Sequence, residues 1–88
     1  MASQRSAASR SVTDEERLRL FEAQAEAAYA AMYDANSASA AAARYSDAKE
    51  ALYDAIALAG QVGHAETRER LEARLAHIKA VFRSQFNS

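Results

Sequence analysis

The sequence contains no cysteine, no proline and no tryptophan, and only two glycines, Gly60 and Gly63. Without cysteine there is no disulfide framework, no thiolate metal site and no thiol nucleophile, so no redox compartment can be read from the chain. It also lacks a long uncharged run. Uncharged runs such as residues 35–43, rich in Asn and Ser, are too short to span a bilayer. An excess of one sign of charge is lacking as well: 11 basic residues against 12 acidic ones give a net charge of -1. That balance excludes a global attraction to nucleic acid or anionic lipid.

What is present is alanine. Of 88 residues 24 are Ala, and only 20 larger apolar side chains accompany them, so a single small domain with a thin core is expected. Ala is the strongest helix former, proline is absent and glycine occurs only at Gly60 and Gly63. The composition therefore predicts an all-α chain and excludes a β-rich or Rossmann-type fold.

Residues 1–12 hold four Ser, three Ala, Arg5 and Arg10, with no acid and little to bury. They read as a disordered tail preceding one domain over residues 13–88. No secretory signal is expected, because these residues lack an apolar segment. Thr13-Asp14-Glu15-Glu16 then fits a capping box, and three acids at the positive end of a helix strengthen it. From there Leu18, Phe21, Ala25, Ala28, Met32 and Ala35 follow steps of three and four, which predicts a first helix over residues 14–35. Asn36-Ser37-Ala38-Ser39 is the break: Asn tolerates a left-handed terminus and either Ser can cap the next helix.

The second helix carries Ala41, Tyr45, Ala48, Leu52, Ala55 and Ala59 on one stripe, with Ile56 widening it, and should stop at the two glycines. The third, over residues 64–86, aligns Leu71, Leu75, Ile78, Phe82 and Phe86. Glu66 and Arg70 form an expected i, i+4 pair at its start. Short connections between helices of similar length force antiparallel neighbours, so the expected architecture is a three-helix up-down-up antiparallel bundle. The alternative, if the break at residues 36–39 does not form, is a long helical hairpin that dimerises.

Within the second helix, Tyr45, Ala48, Leu52 and Ala55 keep the spacing Tyr-x2-Ala-x3-Leu-x2-Ala. Together with the small residues that follow up to Gly63, this segment, about residues 44–63, resembles the second helix of a tetratricopeptide repeat. The resemblance implies helical-hairpin packing and peptide binding. In the preceding helix, the family's aromatic, Gly and Tyr positions carry Met32, Asn36 and Ser39.

Ala31-Met32-Tyr33-Asp34-Ala35 recurs as Ala51-Leu52-Tyr53-Asp54-Ala55. The repeat puts Tyr33 and Tyr53 at the edges of their stripes, where Tyr offers apolar area and a hydroxyl to a partner. Leu20 and Leu58 lie far from their stripe centres, and a three-helix monomer is expected to leave them exposed. Ala73, Ala76 and Ala80 form a second, small-residue seam on the third helix, opposite its Leu and Phe stripe.

Arg70, Arg74, Lys79 and Arg83 form a basic surface in the same helix, although acids before and bases after also suit the helix dipole. His64 and His77 are too far apart to share a metal, and no acid-histidine pair has ligand spacing, so no metal or cofactor is expected. No strand-turn-helix elbow exposes a serine.

The expected function is therefore non-enzymatic: a small helical protein-protein interaction module, bacterial and cytoplasmic, that binds a protein partner or forms a homodimer. The alternative is a nucleic-acid-binding accessory protein using the Arg/Ser tail and the basic half of the third helix. No membrane partner is expected.

Overall fold

The computed structural model of the chain describes residues 13–86, and the expectation of a disordered tail over residues 1–12 lies outside them. Three helices are present: α1 (Asp14–Asp34), α2 (Ala38–Gln61) and α3 (Ala65–Gln85). There is no strand among the described residues. No described helix is long and apolar enough to cross a membrane.

Each boundary has a local cause. At the start of α1 the Thr13 hydroxyl accepts the Glu16 amide at 3.1 Å, while the Glu16 carboxylate accepts the Thr13 amide at 3.1 Å, closing the capping box. The end of α1 differs from the expected left-handed Asn36. Ala35 turns extended instead (φ -67°, ψ 141°), and the only positive φ in the described chain belongs to Gly63. Ser37 then caps α2 by accepting the Ala40 amide at 3.0 Å.

At the other end of α2, Gly63 adopts φ 80°, His64 donates its amide to the Ala59 carbonyl at 2.9 Å and Gly63 donates to Gly60 at 3.3 Å. This pair of bonds is a Schellman motif, and it requires a residue without a Cβ at the left-handed position.

Side-chain contacts fix the topology. Glu22 meets Arg70 and Glu26 meets Arg74, both 48 residues apart, so α1 and α3 run parallel. Tyr45 stacks on Phe82 with ring centroids 3.9 Å apart, whereas Tyr53 meets Lys79, so α2 and α3 run antiparallel. The up-down-up bundle follows, with α2 in the middle. α1 packs closely along α2, α3 packs on another part of α2, and α1 and α3 approach each other chiefly through long side chains.

The buried residues of α1 and α3 are few: Leu18, Ala25 and Met32 on the first, Leu71, Leu75 and Ile78 on the third. α2 buries more, including Ala48, Leu52, Ala55, Leu58 and Ala59. Six of the thirteen buried apolar residues described are Ala, which lets helix axes come close but contributes little area. Each fully buried Leu, Ile or Met supplies about 1.5–3 kcal/mol, so Leu52, Leu71, Ile78 and Met32 dominate the core.

Leu58 corrects the sequence reading. It is only 5% exposed. A middle helix packs against two neighbours and buries a wider arc than the single stripe drawn through Leu52 and Ala55, and Leu58 falls within that added arc, near Phe21 of α1.

Candidate functional site

Among the described residues no polar or charged side chain is buried, and no group of three or more His, Asp or Glu is placed to hold a metal. The chemistry available to the molecule therefore lies on its surface, and two regions stand out.

The first is the seam between α1 and α3. Arg70 donates two hydrogen bonds to the Glu22 carboxylate, at 3.0 and 2.9 Å, and Arg74 donates two to Glu26, at 2.8 and 2.7 Å. Both are bidentate pairs, the geometry in which an Arg-carboxylate contact is strongest. The Arg74 hydrogen bonds hold the Glu26 carboxyl below its usual range, against an opposing effect of partial burial. The same pairs raise Arg70 and Arg74 above the ordinary guanidinium value.

Below the ladder runs a chain of rings. Arg74 lies 4.9 Å over Tyr29, the Tyr29 and Tyr33 hydroxyls share a hydrogen bond at 3.3 Å, and Tyr33 meets Phe86 edge-on. That hydrogen bond and partial burial push the Tyr29 hydroxyl up from its ordinary value. Phe86 stacks on Phe82 and Phe82 on Tyr45, so the rings tie the lower ends of all three helices together. A cleft of about 360 Å³ opens between α1 and α3 with Leu52 and Leu71 at its base. Its carboxylates and guanidinium groups neutralise one another and leave no unmatched charge for a ligand.

The sequence pattern did not reveal this seam. Arg70 was paired with Glu66 within its own helix, yet its guanidinium reaches Glu22. The signal available was two acids and two arginines, each pair four residues apart, on helices of matching length.

The second region is the set of outward apolar residues. Leu20 is 56% exposed, Tyr33 48% and Tyr53 49%. The structure does not join the two tyrosines: Tyr33 belongs to the ring chain between α1 and α3, and Tyr53 lies beneath Lys79 on the α2 side of α3. Ala73, Ala76 and Ala80 are all exposed on α3, whereas Leu58 leaves the set because it is core.

The basic surface is also divided. Arg70 and Arg74 are occupied by α1, Lys79 sits 5.6 Å over the Tyr53 ring, and Arg83 has no ion-pair partner among the described residues. Comparison with protein-family models, curated proteins and solved structures finds no match to the chain.

Proposed function

We propose that the chain is a non-enzymatic helical interaction module of a bacterial cytoplasm, presenting outward helix faces to a protein partner or to a second copy of itself. One observation supports this reading above the others. A core of wholly apolar side chains is closed, yet Leu20, Tyr33 and Tyr53 remain about half exposed and the outward face of α3 is lined with Ala. Tyr is a frequent anchor in protein interfaces, because it gives large contact area and a hydroxyl at low entropic cost.

Affinity capture with the tagged full chain, run beside a Leu20→Asp and a Tyr53→Asp variant, tests the reading. Both side chains are exposed, so the variants keep the fold. A protein held by the parent and released by either variant supports the module. A chain that retains nothing and stays monomeric at high concentration refutes it.

A further inference from the structure

The outward face of α3 carries Glu69, Ala73, Ala76, Ala80 and Arg83 at successive steps of four, three, four and three residues, and all five are exposed. That is the spacing that keeps a seam turned toward a partner helix over several turns. The charges on this face indicate which helix that is. Glu69 and Arg83 stand seven residues to either side of Ala76, and neither has an ion-pair partner among the described residues. Glu72 and Lys79, on one flank of the seam, straddle the same point, and Lys79, half-buried with its ammonium 5.6 Å over the Tyr53 ring, would turn from that ring to meet Glu72 of a second copy. Glu72 is only 4.0 Å from Arg68, an exposed contact of small value that is readily exchanged for another.

A half-turn about an axis through Ala76 brings a second copy of α3 antiparallel to the first. Glu69 of each then faces Arg83 of the other, and Glu72 faces Lys79, so these four charges meet their opposites. Parallel pairing in register would set Glu69 against Glu69 and Arg83 against Arg83. The Ala side chains allow axes to approach to about 8 Å, and the contact adds burial to a domain whose own core is thin.

We propose that the chain forms a two-fold symmetric dimer in which α3 pairs antiparallel with α3 of a second copy, through Ala73, Ala76 and Ala80, with Glu69–Arg83 and Glu72–Lys79 pairs across the axis. This rests on the reading of the chain as an interaction module and names its partner as the chain itself.

Sedimentation equilibrium of the full chain over a hundredfold concentration range tests it. The parent dimerises, and Glu69→Arg or Arg83→Glu weakens the dimer about tenfold, since two attractive pairs become repulsive. Mixing the two variants restores it, because all four charges then match in the mixed dimer. Unfolding cannot mimic that rescue. A monomer at every concentration overturns the proposal, as does a dimer indifferent to both reversals. If the monomer still captures a different protein through Leu20, the module reading stands and only the self-pairing falls.

Discussion

Replacing Leu58 by Ala discriminates between a middle helix with a wide buried arc and one with a single stripe. Leu58 is 5% exposed and joins the main apolar cluster with Leu18, Leu52 and Ala55. Truncating a buried Leu costs about 2–5 kcal/mol, depending on how far the surroundings relax into the space. Here a shallow depression lined by Arg17, Phe21 and Gln61 already opens beside Leu58, so these flexible neighbours can close over part of the void. The expected loss is therefore at the lower end, about 2–3 kcal/mol.

The assay is urea unfolding followed by helical circular dichroism, with Leu20→Ala as the control. Leu20 is 56% exposed, so its truncation should shift stability by less than about 0.5 kcal/mol. For a domain of this size the urea slope is about 1 kcal/mol per molar, which makes the Leu58 shift a large movement of the midpoint. Equal and small effects at both positions would refute the buried arc of α2.

Gly63→Ala should destabilise by about 1–2 kcal/mol, because it forces an L side chain to φ 80°, whereas Gly60→Ala should stabilise by about 0.5–1 kcal/mol. A Cβ at Gly60 meets only the Arg68 side chain, at ordinary contact distance, and thermal melts of the two variants should move in opposite directions. Thr13→Ala removes the cap of α1 and should cost about 1 kcal/mol, with fraying visible as faster amide exchange in the first turn. The Glu26 carboxyl is held below its ordinary value of 4.5 by Arg74. Its contribution is complete above that value and is lost as pH falls through the lower folded one. Glu26→Gln should flatten the acid limb of a stability-pH curve by less than about 1 kcal/mol, since the pair is half exposed.

The helices were legible because their causes are local. Thr13 and Glu16 are three residues apart, Ser37 precedes its helix directly, and Gly63 supplies the one left-handed residue among those described, so caps and turns are visible in a few consecutive positions. The stripes on α1 and α3 were legible for the same reason. What stayed hidden depends on three dimensions. Leu58 is buried because α2 has two neighbours, and Glu22 meets Arg70 across 48 residues of chain. No window along the sequence contains both partners. Exposure of Leu20, Tyr33 and Tyr53 agrees with their place on the helical wheel, but the two tyrosines meet different neighbours, Phe86 for Tyr33 and Lys79 for Tyr53, which the repeated motif does not encode.

Because the chain has no cysteine, a single Ala76→Cys substitution gives an unambiguous reporter on the central claim, that α3 pairs antiparallel with α3 of a second copy. At mild oxidant and micromolar concentration, Ala76→Cys should convert to a covalent dimer, since the two-fold axis brings the two thiols together. Ala42→Cys, on an exposed part of α2, should remain monomeric. Equal cross-linking at the two positions, or none at Ala76→Cys, would contradict the account.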